Sequence, residues 1–227
     1  MDKIKTLATL EKFKDYYDRH ADDYEIYESV QALINELRKE IKIDNAKTSG
    51  KVDLYKALSK LIEREENSRI KGICKLTDKD FIEKWCYVSG SLAFIFTQGV
   101  LPEGLPVCEG IDVVSFFENG RKYDKSVNIP TLKQLKSEKK YQKEKGYIKK
   151  NKIPLMYLKT GNEYNLFNVD LLISAREILG DGASFYCSGR YKDPLYAKSD
   201  VGEGIIIPMA IKTEINKELV YPRENEV

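Results

Sequence analysis

The most constraining part of the sequence is residues 162–212, where the spacing of apolar residues changes from that of a strand to that of a helix. Residues 164–169 alternate between apolar and polar over most of their length, which predicts a strand. Apolar residues then recur at helical spacing over 171–179, and Asn168 or Asp170 is suited to cap that helix. Because these apolar residues fall on one side, the sequence predicts a helix with one buried face.

Glycine-containing turns divide the remainder of this stretch. Gly180 stands where the left-handed residue that ends a helix is expected. Three short apolar segments then predict a meander of strands at 183–187, 194–198 and 205–209. A strand, a helix and a meander in this order indicate an α+β domain.

A second run of helix and strands precedes this one. A helix is predicted over 54–66, and a Ser-Gly-Ser turn at 89–91 predicts a hairpin. The predicted strands of this run lie at 70–76, 84–89, 92–97 and 111–118. Two halves of helix plus sheet indicate one domain spanning 49–213, followed by a C-terminal tail over 214–227.

Residues 1–48 are predicted to form a helical extension. Apolar residues recur at helical spacing in two stretches between 4 and 43, and acidic residues at 22–25 have the spacing of a capping box. Residues 47–50 are typical of a linker. Because so short a pair of helices cannot bury its apolar faces alone, it packs on the rest of the chain, on a second copy or on a partner.

Positive charge is concentrated in an insertion over 121–152. It holds twelve Lys or Arg residues and three acidic residues, whereas the net charge of the whole chain is only +2. Such a segment can form a helix that follows a nucleic-acid backbone. The lysines expected to make these contacts are Lys133, Lys136, Lys139 and Lys140. A solvated, lysine-rich insertion explains the same composition, because arginine is nearly absent and no base-reading pattern is visible.

Few residues favour catalysis. The single histidine, His20, lies between the two N-terminal helices, so the main domain has no histidine base or histidine metal cluster. The four cysteines form no CxxC pair and are expected to be buried free thiols. Residues 45–52 lack both the first glycine and the Ser/Thr of a phosphate-binding P-loop. We therefore expect a non-enzyme with no catalytic residue, metal or cofactor.

Location is predicted from what the chain lacks. No stretch reaches the length of a membrane span, and the first residues lack the apolar run of a signal peptide. A cytoplasmic protein with no membrane partner is the expectation.

The order of the elements resembles one domain of the bacterial DNA polymerase III beta subunit, the sliding clamp, in a form found in phage or mobile-element proteins. The resemblance covers about residues 50–212, and residues 204–211 are its most specific part. The matching pieces are the helix DLYKALSKLIE, an arginine before the next strand, the hairpin YVSGSLAF, the helix VDLLISAREILG and the ending PLYAKSD followed by GIIIPMAIK. The resemblance implies a DNA-clamp fold, with two helices packed on antiparallel sheets.

The resemblance also implies functional residues. Arg69 matches the arginine of the family that faces DNA, and Lys56, Lys60 and Arg176 lie on the matching helices and are proposed as phosphate contacts from their charge. The family's partner-peptide groove is lined partly by its last strand, to which these residues correspond by alternation: Ile205, Ile207 and Met209. A clamp chain carries three such domains, whereas this chain has length for one, so it is not expected to encircle DNA as a monomer.

The sequence therefore favours a non-catalytic, clamp-like protein that binds duplex DNA through phosphate contacts, replication proteins, or both. The alternative is an interaction adaptor that associates with itself through the helical hairpin or a sheet edge, or that binds a true sliding clamp without contacting DNA.

Overall fold

A computed structural model describes residues 2–20, 24–48, 50–64, 71–77, 83–109, 112–148, 153–210 and 215–222. The chain divides into two compact units. The first comprises Met1–Tyr55 with Pro102–Gly104, and the second comprises Lys56–Leu101 with Leu105–Val227. Helices and antiparallel sheet occur together in the second unit, which confirms the α+β class.

The first unit contains the predicted helical hairpin, formed by α1 (Lys3–His20) and α2 (Tyr24–Thr48). Lys3 Nζ lies 2.7 Å from Asp44 Oδ2, and Arg38 pairs with Glu11 at 2.6 Å, so the two helices run antiparallel. The linker predicted at 47–50 is too long, because α2 continues through Thr48. The capping box proposed for 22–25 falls largely outside the described residues.

Four further α-helices are described. They are α3 (Val52–Arg64), α4 (Val114–Gly120), α5 (Leu132–Glu144) and α6 (Val169–Leu179). The strands are β1 (Ile73–Thr77), β2 (Glu83–Val88), β3 (Leu92–Phe96), β4 (Lys125–Ser126), β5 (Leu155–Thr160), β6 (Glu163–Asn168), β7 (Ser184–Cys187), β8 (Leu195–Lys198), β9 (Gly202–Ile206) and β10 (Val220–Tyr221).

The strands form two sheets. The larger has seven strands in the order β1-β2-β3-β9-β8-β7-β4, and every neighbouring pair in it is antiparallel. Pairing of β3 with β9, in the register Leu92↔Ile206, joins the two predicted halves into one sheet. The smaller sheet has the order β10-β5-β6, with β10 parallel to β5. The predicted C-terminal tail therefore contributes a strand.

Helices cover both faces of the large sheet. One face packs on α4 through a buried cluster that includes Phe117 and Ile205. On the opposite face, α6 packs so closely that a Cβ added at Gly204 would lie 3.0 Å from Leu179 Cδ1. The small side chain at Gly204 thus permits the close approach of helix and sheet.

The strand predicted at 111–118 is wrong, because most of this segment belongs to α4. Val113, Phe117 and Gly120 are buried at a spacing of four and three residues, which places them on one helical face. A Cβ at Gly120 would lie 2.9 Å from both Ile205 Cδ1 and Tyr196 Cδ2. Glycine at this position is therefore required by the packing of the helix on the sheet.

The last predicted strand, 205–209, is displaced. Ser199 and Gly202 exchange backbone hydrogen bonds of 2.9 and 3.2 Å, so the turn comes earlier and β9 begins at Gly202. The strand ends at Ile206, and the Met209 N–H instead donates to Leu166 O in the smaller sheet. The other strands of the meander and the hairpin at 89–91 are confirmed within one or two residues.

The cysteines are free thiols, as expected. Cys74 and Cys86 are opposite each other on β1 and β2, and their Sγ atoms lie 3.2 Å apart in the core. The hydrogen bond with the Cys74 thiol, together with burial, raises the pKa of Cys86 far above its usual range. Cys187 is also buried, whereas Cys108 is only partly so.

Candidate nucleic-acid interface

The basic insertion is organised around α5, which has a well-defined start. Thr131 caps the helix: its backbone N–H donates to Gln134 Oε1 at 2.9 Å, and its hydroxyl oxygen accepts from the Gln134 N–H at 3.3 Å. Leu132 N donates to Asp181 Oδ1 at 2.7 Å. The reciprocal bonds between Thr131 and Gln134, together with the bond to Asp181, satisfy donors that a helix start leaves unpaired. The helix then ends before Gly146, which has a φ of +73°.

Two buried residues attach α5 to the domain. Leu135 is fully buried, and so is Gln142, two turns further along. The Gln142 amide donates to Leu155 O at 2.7 Å and accepts from Leu155 N at 3.0 Å, so it pairs with the first residue of β5 as a neighbouring strand would. Sequence analysis missed Gln142, although its spacing of seven from Leu135 on a lysine-rich helix is a usable signal.

Acidic residues of α6 hold two of the predicted lysines. Lys136 Nζ lies 2.8 Å from Glu177, and Lys139 Nζ lies 2.6 Å from Asp170. Lys60 of α3 approaches the same Glu177 at 3.9 Å. The structure thus brings Lys60 and Lys136, which are 76 positions apart in the sequence, to one carboxylate. Both lysines remain about half exposed, so each can still meet a ligand.

The other lysines on α5 point to solvent. Lys140 is highly exposed and contacts Glu144 on its own helix at 3.7 Å, a weak pair at such exposure. Lys133 is exposed at the start of the helix. Lys133 and Lys140 are seven residues apart and therefore lie on one side of α5. Lys56, on α3, is also exposed.

Arg176 is buried, so it is not accessible for the phosphate contact that the sequence predicted. It is only 6% exposed, and its guanidinium donates to five backbone carbonyls, while stacking 4.6 Å from the Phe185 ring centroid. The acceptors are the carbonyls of Ile129, Pro130, Gly180, Asp181 and Ala183, at 2.7–3.4 Å. Burial lowers the pKa of Arg176, and Asp181 partly offsets this effect. The side chain is a structural tie between segments distant in sequence.

The remaining predicted residues are dispersed. Arg69 lies outside the described residues. Ile205 is buried in the sheet, Ile207 is 38% exposed beyond the end of β9, and Met209 is partly buried next to the smaller sheet. The three residues therefore do not share one strand face as alternation predicted, because β9 ends at Ile206.

A groove of about 640 Å³ runs beside α5. Its walls include Lys133, Ser137 and Tyr141, which are spaced by four residues along one side of the helix. Met156 of β5 and Tyr221 of β10 line the groove as well. The volume is within the range of small-molecule sites in proteins.

Metal-ligand clusters and membrane-spanning helices are both absent from the described residues. No group of three or more His, Cys, Asp or Glu side chains there is arranged to hold a metal ion. No helix in the described part of the chain is both long and apolar enough to cross a membrane.

Comparison of the chain with protein-family models, with curated proteins and with solved structures found no match.

Proposed function

We propose that this protein is a non-catalytic, clamp-like module that binds nucleic acid through its phosphate backbone. The observation that carries the proposal is α5, a capped and anchored helix that presents exposed lysines on a protein with little net charge. Lysines of this kind bind phosphates by releasing condensed counterions and without reading base sequence. The lysines of α5, together with Lys56 and Lys60 of α3, are the proposed contacts.

The clamp-like part of the proposal rests on the arrangement of helices and sheet. Lys60 of α3 lies 3.9 Å from Glu177 of α6, so a side-chain contact joins the helices that resemble the two DNA-facing helices of a clamp domain. Helix α5 packs beside α6, with Lys136 at the same Glu177 and Lys139 at Asp170. In this arrangement α5 extends the basic surface that a clamp domain presents to duplex DNA.

Salt dependence of duplex DNA binding tests the proposal. The logarithm of the binding constant is expected to fall steeply with the logarithm of salt concentration, measured by fluorescence anisotropy. Lys143, in the last turn of α5, is exposed as Lys133 and Lys140 are. Substitution of these three lysines by Gln is expected to reduce that slope by about 2 to 3, because about one counterion fewer is released for each lost phosphate contact.

The matched control removes three exposed lysines elsewhere on the second unit, namely Lys71, Lys159 and Lys198. This triple Gln variant has the same net charge as the α5 variant and is expected to keep nearly the full slope. Absence of binding at low ionic strength, or equal losses in the two variants, would contradict the proposal.

A second function, self-association as an interaction adaptor, is favoured by the N-terminal hairpin. Several of its large apolar side chains are exposed, among them Ile4 at 68%, Tyr16 at 62% and Leu33 at 53%. Exposed apolar surface of this kind often marks a protein interface. Light scattering is expected to report a dimer that Leu33→Glu dissociates, and a strict monomer at high concentration would exclude this function.

A further inference from the structure

We propose that the groove beside α5 binds an unpaired nucleobase, so that the protein takes a single-stranded segment of nucleic acid there. This inference rests on the proposed function and specifies one ligand for the same surface. Two tyrosines, Tyr141 and Tyr221, line the groove, and Lys133 lies at its edge. Aromatic walls next to a basic helix are the combination that binds single strands, since bases stack on the rings while lysines meet phosphates.

Helical geometry places the residues of α5 on three sides with different roles. Leu135 and Gln142 face the core, and Lys136 and Lys139 face α6. The groove is on the opposite side of the helix from α6, because its residues fall at positions 133, 134, 137, 138 and 141. Lys133 and Lys140 therefore lie along the ridge between the groove and the acidic residues of α6. A phosphate on this ridge leaves its base directed into the groove.

The polar groups inside the groove favour a base over an acidic or purely apolar ligand. Glu138, Ser137 and Gln134 line it. The Glu138 carboxylate accepts from Gln142 Nε2 at 2.8 Å. A carboxylate can accept several hydrogen bonds, including one from an amino or imino N–H of a base. A carboxylate in this position repels acidic peptides, and three polar side chains are poorly suited to an acyl chain. The lysines on the ridge complement the charge of a phosphate chain.

A duplex does not present this ligand. In duplex DNA the faces of the bases are stacked on one another, so a base enters a protein groove only when it is unpaired or flipped out. The volume of about 640 Å³ accommodates ligands of nucleotide size but not a duplex. The groove should therefore add affinity for a single strand and none for a duplex, whereas the lysines serve both.

The test compares a fluorescently labelled oligodeoxythymidine of about 10 nucleotides with a duplex of the same length, at equal salt. Tyr141→Ala is expected to weaken single-strand binding about tenfold and to leave duplex binding within about twofold. Tyr141→Phe keeps the ring and is expected to bind as the natural chain does. Circular dichroism of both variants checks that α5 remains folded.

Tyr191 supplies the matched control. It is an exposed tyrosine outside the groove, and Lys192 Nζ lies 5.2 Å from its ring centroid, much as Lys145 Nζ lies 5.8 Å from that of Tyr141. Tyr191→Ala is expected to leave single-strand affinity unchanged.

The outcomes separate the inference from the proposed function. If both nucleic acids bind in a salt-dependent way but Tyr141→Ala has no effect, or no more effect than Tyr191→Ala, the groove assignment is wrong and the phosphate-binding surface stands. If neither nucleic acid binds at low salt, both proposals fail. Equal loss of duplex and single-strand binding in Tyr141→Ala would also overturn the groove assignment.

Discussion

Helices α5 and α6 pack side by side, carry cations and begin with side-chain caps, yet they are built for different environments. Of the eleven residues of α6, eight are buried, whereas α5 buries two of its thirteen. Helix α6 packs on the large sheet, on β6 and on α5, while α5 has protein on fewer sides. The number of surfaces that meet a helix therefore decides what its charged residues do.

The cations of the two helices show the consequence. Arg176 on α6 donates to five backbone carbonyls inside the domain. Lysines on α5 pair at the surface or extend into solvent. The planar guanidinium offers five donors in fixed directions, which suits it to join converging carbonyls, while a lysine ammonium is more strongly hydrated and stays near water.

The largest expected effect breaks the internal role of Arg176. Arg176→Lys keeps the charge but cannot reach five carbonyls, so buried acceptors lose their partners and the free energy of unfolding should fall by about 3 kcal/mol or more. Denaturant titration measures the change. Arg190→Lys, at an exposed position, is the matched control and should have no measurable effect. Similar small losses in both variants would show that Arg176 is not a structural tie.

A somewhat smaller loss is expected at the buried polar residue of α5. Gln142→Leu preserves the approximate size of the side chain but leaves the N–H and C=O of Leu155 unpaired, which should cost about 2 kcal/mol. Gln98→Leu, at an exposed turn position, serves as the control. Hydrogen exchange at the Leu155 amide should become faster in Gln142→Leu alone. Unchanged exchange would mean that α5 is held mainly by apolar contacts.

Arg121 is intermediate between the buried arginine of α6 and the exposed lysines of α5. Its neighbour Tyr196 offers a test by pH. It donates to Glu203 at 2.8 and 3.1 Å, beside Tyr196, and burial together with Glu203 raises the pKa of Tyr196 to about 12. The unfolded chain loses the Tyr196 proton near pH 10, before the folded protein does. The contribution of Tyr196 to the free energy of unfolding is therefore complete below pH 10 and is lost as the pH rises towards 12.

The measurement is the urea midpoint between pH 9 and pH 12 for the natural chain and for Tyr196→Phe. The variant lacks the phenol, so its midpoint should fall less over this interval. Parallel curves for the two proteins would contradict the raised pKa of Tyr196.

The smallest effect is expected at the surface pairs of α5. Replacing Lys136 and Lys139 by Gln removes ion pairs to Glu177 and Asp170 whose lysines are about half exposed. Such pairs contribute less than about 1 kcal/mol each, and salt screens them further. The difference from the natural chain should shrink in 1 M salt. A loss of stability as large as that of Arg176→Lys would show that the cations of the two helices do not differ in their structural role.

Local chemistry was sufficient to predict several elements from the sequence. Asn168 caps α6 by accepting from Asp170 N at 2.9 Å, and Gly180 follows the helix with a φ of +83°, as the residue types indicated. The hairpin between β2 and β3 turns at the predicted Ser-Gly-Ser. Each of these features depends on interactions within a few residues along the chain.

The sequence predictions were wrong where contacts between distant segments determine the local structure. The apolar run that became α4 is short enough to fit a strand or a helix, and its packing on Ile205 and Tyr196 selects the helix. The pairing of β10 with Tyr157 and Leu158 of β5 joins residues about 60 positions apart. No local pattern in the tail predicts this pairing.

By itself, the sequence determined the α+β class, the helical hairpin and the concentration of lysine on one segment, because periodicity, caps and charge are local properties. Only the tertiary structure decided which cations are available to a ligand. Arg176 is buried because carbonyls from residues 129–130, some 46 positions away, and from the segment after α6 converge on it. The lysines of α5 remain exposed because that helix has a free side. The groove likewise exists only where α5 meets β5 and β10.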